Sequence, residues 1–348
     1  MTVRNEIIAG DVATIAAANL PWETLEGLNI LVTGATGFIG AYLVETLAYL
    51  NEVKLKTPVM IFALARNEDK LFKRFPHLIN RSGFVPVIQD VNDPWMQTDK
   101  IDLIMHAASM ASPRQYLSLP VDTIKANSIG TINLLELAKN NKAKLLFLSS
   151  GDIYGNNNQQ IISESSYGPI DPLHPRACYS ESKRVGETLC MAYYQQFGVF
   201  AAIARISHTY GPGLNLDDGR VFTDLIADAL AGRDIAIHGD GLSSRPFCYI
   251  TDLIIGLFII IMSGSAGQAY NIGAEDELSI IDLANLIIRI SKNQHIKIKF
   301  TDDYMKNIRV SGHFLLDKIK KIGWQASVNP ETGFDRMYQY YLAKMGEK

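Results

Sequence analysis

Asn29-Ile30-Leu31-Val32-Thr33-Gly34-Ala35-Thr36-Gly37-Phe38-Ile39-Gly40 is the stretch on which the fold turns. A short, largely apolar run ends in glycine, and from Phe38 to Leu50 apolar residues recur at helical spacing. A strand, a glycine-rich turn and a helix therefore follow one another. Such a turn lets backbone approach a pyrophosphate, whose charge is favoured by the free N–H groups and positive end of the helix. The spacing is G-x-x-G-x-x-G rather than G-x-G-x-x-G, so this reading rests on the flanking strand and helix as much as on the glycines. Gly34, Thr36, Gly37, Phe38 and Ile39 are the cofactor-binding candidates of this turn.

The same unit repeats downstream. Strands are expected over Pro58 to Ala65, Phe84 to Ile88, Ile101 to Met105, Lys144 to Leu148 and Ala201 to Ile206, with a helix over 121–140. Alternating strand, turn and helix at these intervals predicts an α/β fold, a Rossmann-like doubly wound parallel sheet. Beyond 206 the pattern loosens into a smaller mixed α/β C-terminal lobe. The expected division is a cofactor domain over 1–206, with an N-terminal extension over 1–27 in which Trp22 and Leu25 pack on the body. A mainly substrate-binding domain follows over 207–348, part of 247–273 returning to the first.

After the second strand stands Arg66, where an NAD site usually places an acid on the adenosine ribose. Arg66 either stacks on adenine or pairs with the 2′-phosphate of NADP. Asp90 and Val91 after the third strand suit an adenine contact. His106-Ala107-Ala108-Ser109 after the fourth is a run of small residues that lets a cofactor lie close, and Asn127 rides on the following helix. The fifth strand ends in Ser149-Ser150-Gly151-Asp152-Ile153-Tyr154-Gly155, bringing a hydroxyl and a carboxylate to the sheet end where ligands of open α/β folds collect.

Tyr179-Ser180-Glu181-Ser182-Lys183 opens a proline-free run to Phe197. On a helix the four-residue spacing puts Tyr179 and Lys183 on one face. An ammonium near a phenol lowers its pKa from about 10 toward neutrality, which would make Tyr179 a general base for a sugar hydroxyl.

Composition narrows the field. The chain has 348 residues, 20% of them charged, and a formal charge of -3, with no basic excess for a nucleic-acid partner. Cys178, Cys190 and Cys248 form no Cys-x-x-Cys pair, so neither a disulfide framework nor a metal site is indicated, and a reducing, cytoplasmic compartment is expected. The apolar run from Leu253 to Met262 is shorter than the ~20 residues of a membrane span, and Glu6 and Asp11 interrupt the N-terminal apolar stretch, against a signal peptide.

Taken together, Thr33 to Gly40, Ser150, Tyr179 with Lys183, and Arg245 to Asp252 resemble the extended short-chain dehydrogenase/reductases, in their branch of nucleotide-sugar epimerases, dehydratases and decarboxylases. Within it, Ala111-Ser112-Pro113, Thr123 to Asn127, Pro175 to Tyr179 and Asp218-Gly219-Arg220-Val221 are most similar to UDP-glucuronate decarboxylases. The resemblance implies NAD rather than NADP as cofactor, a nucleotide-diphosphate sugar as substrate, a 4-keto intermediate and a homodimer. It implies that Ser150 and Tyr179 hold the sugar hydroxyl, with Asp152 as a further catalytic carboxylate. Lys183 would also bind the nicotinamide ribose, Arg220 and Arg245 would lie by the diphosphate, and Ser109 and His208 would face the substrate. Three positions depart from the pattern: Asp152 stands where glutamate is usual, Gly213 where the decarboxylases carry arginine, and His208 where they carry asparagine. Gly151 and Gly213 would leave room for a ketosugar to turn over in a 4-epimerase. A 4,6-dehydratase would need a donor acid at Gly151. An inactive cofactor-binding regulatory protein is the reading of another class.

Overall fold

The computed structural model describes residues 4–157, 159–301 and 313–346. In chain order the strands are β1 (Asn29–Thr33), β2 (Met60–Ala65), β3 (Phe84–Ile88), β4 (Leu103–His106), β5 (Lys144–Ser150), β6 (Ile161–Ile162), β7 (Ala201–Ile206), β8 (His208–Tyr210), β9 (Ile235–His238), β10 (Ser244–Tyr249), β11 (Gln268–Ile272), β12 (Glu277–Ser279), β13 (Ile298–Thr301) and β14 (His313–Phe314). The helices are α1 (Glu6–Ala17), α2 (Phe38–Val53), α3 (Glu68–Arg74), α4 (Pro113–Ser118), α5 (Pro120–Asn141), α6 (Ala177–Phe197), α7 (Val221–Leu230), α8 (Ile250–Ser263), α9 (Ile280–Ser291), α10 (Asp317–Lys320) and α11 (Pro330–Gly346).

Seven strands form one sheet in the order β3-β2-β1-β4-β5-β7-β11, every neighbouring pair parallel. A parallel sheet is covered on both faces, so its strands are apolar on both. Ile30 and Val32 belong to a core built with α1, α2 and α8, while Leu31 between them faces a second core built with α5 and α6. Strand order reverses between β1 and β4, and the chain ends there diverge into a crevice flanked by Thr33-Gly34 and His106-Ala107.

Two strands start later than their apolar runs suggest, and side-chain amides are the reason. Asn51 takes both backbone groups of Val59, and Asn141 Oδ1 accepts from Ile101 N–H, so these residues are tied to helix ends instead of the ladder. The Leu253 to Met262 run lies in α8, which is apolar all round because it is buried against β5, β7 and α2. β11 pairs with β7, so the chain returns to the large sheet after the small three-stranded sheet β12-β10-β8 has begun. Among the described residues no helix is long and apolar enough to cross a membrane.

The N-terminal segment is bolted on by one buried carboxylate. Trp22 and Leu25 are buried, Trp22 edge-on to Phe258 at 5.0 Å. Asp11, 1% exposed, accepts from the hydroxyls of Tyr42 on α2 and Tyr249 on β10 and pairs with Arg336 on α11 at 3.2 Å. Burial pushes its carboxyl up, against the pull of these partners. Asp11→Ala strands two hydroxyls and a guanidinium. It is expected to cost about 2–4 kcal/mol of unfolding free energy in urea, Asp11→Asn distinctly less because one acceptor oxygen stays. Equal, negligible losses would refute the bolt.

Candidate active site

α6 begins at Ala177, four residues before Glu181, because a turn closed by Ala177 N–H on the His174 carbonyl leads into it. Tyr179 thus stands in its first turn and Lys183 one turn on. The Ser150 hydroxyl at the end of β5 lies near enough to the Tyr179 phenol to pull it down and accepts the Asp152 N–H at 3.2 Å. Asp152 sits in the short helical turn Gly151–Tyr154, its carboxylate near enough to act on the phenol. Lys183 Nζ donates to the Leu148 carbonyl at 2.6 Å. Four predicted residues, Ser150, Asp152, Tyr179 and Lys183, therefore meet where β5 ends and α6 begins.

The electrostatics differ from the sequence expectation. Tyr179 is 7% exposed, its ring stacked on Tyr116 at 5.2 Å. Burial pushes the phenol well above its ordinary value and the Asp152 charge pushes it further, against the pull of the Ser150 hydroxyl and the Arg220 charge. The Lys183 ammonium lies 6.0 Å from the ring centre and is directed at Leu148, so it does not dominate. Tyr179 is a neutral phenol here. Lys183 is itself pulled down to about 7 by burial, with Glu187 and Cys190 pushing back.

The glycine turn and the crevice fit a dinucleotide. Gly34 has φ of 63°, and a Cβ there would lie 2.8 Å from the Ala108 backbone. A Cβ on Gly40 would lie 2.2 Å from the Gly34 carbonyl oxygen, so α2 starts this close to the turn only without one. The cleft above is lined by Gly34, Thr36, Gly37, Arg66, Asp90, Val91, Ala107, Ala108 and Ser109. Phe38 and Ile39 form the first turn of α2, Phe38 edge-on to Tyr42. Arg66 Nη1 is 3.7 Å from Asp90, an exposed pair that holds both at one end of the cleft. Asn127 is fully buried and donates to Ser182 at 3.0 Å. Its Oδ1 and the Ser109 Oγ are buried without a partner among the described residues, as polar positions for a ligand would be.

The remaining candidates lie on the loops and strands of the smaller lobe. Arg220 pairs with Asp218 at 2.9 Å, reaches the Ala111 carbonyl at 3.1 Å and acts on the Tyr179 phenol, so it stands at the reacting end of the cleft. His208 on β8 packs edge-on to Phe247, and Arg245 Nη1 donates to Ser243 and Ser244 at the start of β10. At the two glycines expected to leave room, side chains from distant parts of the chain stand nearby. A Cβ on Gly151 would lie 2.6 Å from the Phe314 ring, and one on Gly213 2.8 Å from the Arg74 guanidinium.

Sequence reasoning missed several contributors. Tyr116, which stacks on Tyr179, gives no signal of its own. His106 opens a run of small residues, and in the fold it is a buried bridge from Thr33 to Thr131, kept neutral by burial that pulls it down to about 3. Glu187 had one signal, its place a turn beyond Lys183 on the same face of α6.

Residues 30–273 match the NAD dependent epimerase/dehydratase family. UDP-glucuronic acid decarboxylase 6 of Arabidopsis thaliana is 35% identical over 92% of this chain and 90% of its own. UDP-glucuronic acid decarboxylase 1 of Xenopus tropicalis is 34% identical over 91% of this chain and 73% of its own. Among solved structures, a UDP-glucuronic acid 4-epimerase of Bacillus cereus in complex with NAD has a TM-score of 0.74 at 26% identity, covering 90% of this chain and 96% of that one. The UDP-glucose 4-epimerase of Thermotoga maritima, TM-score 0.79 at 23% identity over 91% of this chain and 100% of that one, shares the fold.

Proposed function

The chain belongs to the NAD-dependent epimerase/dehydratase family, and from that premise we propose that it oxidises UDP-glucuronate at C4 and releases carbon dioxide from the resulting 4-keto acid. The observation that carries the reading is the meeting of the Tyr179 phenol, the Ser150 hydroxyl and Lys183 at the end of β5 beside a dinucleotide cleft. NAD bound there supplies the hydride acceptor. Gly34, Thr36, Gly37, Phe38 and Ile39 would hold its pyrophosphate, Arg66, Asp90 and Val91 its adenosine, and Ala107, Ala108, Asn127 and Lys183 its nicotinamide half.

Tyr179 takes the proton of the sugar 4-hydroxyl as hydride leaves C4, and Ser150 hydrogen-bonds the oxygen as charge develops. A phenol that burial raises is a poor base alone, so the Lys183 and Arg220 charges must favour its deprotonated form during the step. The β-keto acid then loses carbon dioxide with little further help from the protein beyond a proton source, and return of the hydride to C4, with the proton held at Tyr179 going back to its oxygen, would give a product lighter by carbon dioxide alone. Dehydration would need an acid at Gly151, which has none and faces the Phe314 ring, and decarboxylation asks least of the protein beyond oxidation. Ser109, His208, Arg220 and Arg245 are assigned to the nucleotide sugar.

The Asp90 carboxylate beside Arg66 opposes a 2′-phosphate, which favours NAD over NADP. Val121, Ile124, Ile129 and Ile132 on α5 and Val185 and Phe197 on α6 are exposed, an apolar stripe that the same helices of a second copy would cover in a homodimer. Three unpaired cysteines fit a reducing cytoplasm. The division into a cofactor lobe over 1–206 and a substrate lobe beyond it belongs to the same reading.

Incubation with a panel of UDP-, dTDP-, GDP- and CDP-sugars, with NAD and in parallel with NADP, tests the proposal by product mass. Loss of carbon dioxide from UDP-glucuronate with NAD is expected. Loss of water, or an unchanged mass with altered proton couplings, would replace decarboxylation by dehydration or epimerisation.

A further inference from the structure

Three consecutive residues of β5 meet α6: Leu148 is bonded to Lys183, Ser149 to Glu187, and Ser150 faces the Tyr179 phenol. The middle fastening has no role in the chemistry above. Alternation along β5 puts Ser149 on the face of Leu145 and Phe147, which belongs to the core that α6 covers. The helix comes close there, since a Cβ on Gly186 would lie 2.3 Å from the Phe147 ring. Ser149 Oγ donates to Glu187 Oε1 at 2.5 Å, and Arg205 of β7 grips the same carboxylate through Nη2 at 2.7 Å and Nε at 3.1 Å. Arg205 Nη1 goes on to the Tyr154 hydroxyl at 3.0 Å, in the turn that carries Asp152, and to the Glu164 carbonyl at 2.7 Å. Replacing a buried ion pair by apolar side chains is often neutral or stabilising, so stability alone does not account for this one.

We propose that Ser149, Glu187 and Arg205 are positioning residues that set the end of β5 against α6, holding Ser150 and Lys183 in register with Tyr179. The inference rests on the catalytic reading of Tyr179 and Lys183. Glu187 also acts on Lys183 by charge. The titratable groups facing that ammonium are Tyr179, Glu187 and Cys190 on its own helix and His106 on β4, while β5 offers the Leu148 carbonyl and the Phe147 ring. Arg205 faces Glu187 from β7. Glu187 is the acidic side chain among these groups.

Ser149→Ala keeps the ion pair and removes only the link to the strand. With UDP-glucuronate as probe it is expected to lower kcat about tenfold with KM and NAD affinity within about twofold, as a small misplacement of reacting groups does. Glu187→Gln is expected to move the alkaline limb of the kcat profile to lower pH as well, because Lys183 then loses its proton more readily. Tyrosinate absorbance, taken as wild type minus Tyr179→Phe, reads the same device without turnover, and the Tyr179 titration should move to higher pH in Ser149→Ala, where Ser150 is no longer held against the phenol. Should Glu187→Gln fail to fold because Arg205 is left unpaired, Ser149→Ala decides alone. Wild-type kcat, pH profile and tyrosinate titration in Ser149→Ala, with Tyr179→Phe inactive, overturn this proposal and leave the catalytic reading standing. A fully active Tyr179→Phe overturns the catalytic reading itself.

Discussion

Tyr179→Phe is expected to lower kcat about 10³-fold while NAD affinity stays within about twofold of wild type, since proton transfer by a positioned side chain contributes roughly 10²–10⁴-fold. The substitution removes one oxygen and keeps the ring stacked on Tyr116 at 5.2 Å. Ser150 keeps the Asp152 N–H, and Asn127, Ser182 and Lys183 keep their partners, because none of these bonds is made to the phenol oxygen. A buried phenol held above its ordinary value also predicts a rate that climbs with pH until Tyr179 or Lys183 changes state. Single-turnover reduction of NAD, followed by its absorbance, separates the hydride step from product release. A variant that reduces NAD at the wild-type rate would remove Tyr179 from the chemistry, and unchanged biological function would favour the regulatory alternative.

The sheet could be read from the chain because parallel strands buried on both faces are written as continuous apolar runs, and the runs at 30–32, 61–65, 145–148 and 201–204 are of that kind. Strand ends were less legible where Asn51 and Asn141 take ladder positions with side-chain amides, since nothing local distinguishes a capping asparagine from a surface one. In the site, the spacing of Tyr179 and Lys183 was visible because a helix turns spacing into a shared face. The direction of the Tyr179 shift was not visible, because burial depends on tertiary neighbours such as Tyr116. A glycine announces a missing side chain but not the neighbour beside it, here Phe314 at Gly151 and Arg74 at Gly213. Glu187 shares a helix face with Lys183, whereas Arg205 and Asp11 become partners of the site and its frame only through the tertiary fold.

Lys183→Met is expected to abolish turnover and yet make the protein more stable at pH 6. Lys183 is 3% exposed and pulled down to about 7 by burial, so the charged form is disfavoured in the folded chain despite its bond to Leu148 and the nearby Glu187. The unfolded chain keeps that proton up to the ordinary lysine value near ~10.5. Below about pH 7 the folded protein therefore carries the full desolvation penalty. As pH rises through about 7 toward ~10.5 the unfolded state binds more protons than the folded one, and stability climbs. Methionine removes the charge with a side chain of similar reach. It forfeits a charge-assisted hydrogen bond worth about 1.5–3 kcal/mol, against a desolvation penalty of several kcal/mol for a buried ion. Urea titrations should show a wild-type midpoint that rises between pH 6 and pH 9 and a Lys183→Met midpoint that starts higher and stays nearly flat. A variant less stable than wild type at pH 6 would mean that the Leu148 bond and the Glu187 charge outweigh burial. Lys183 would then be a structural cation rather than one the fold tolerates for the sake of Tyr179.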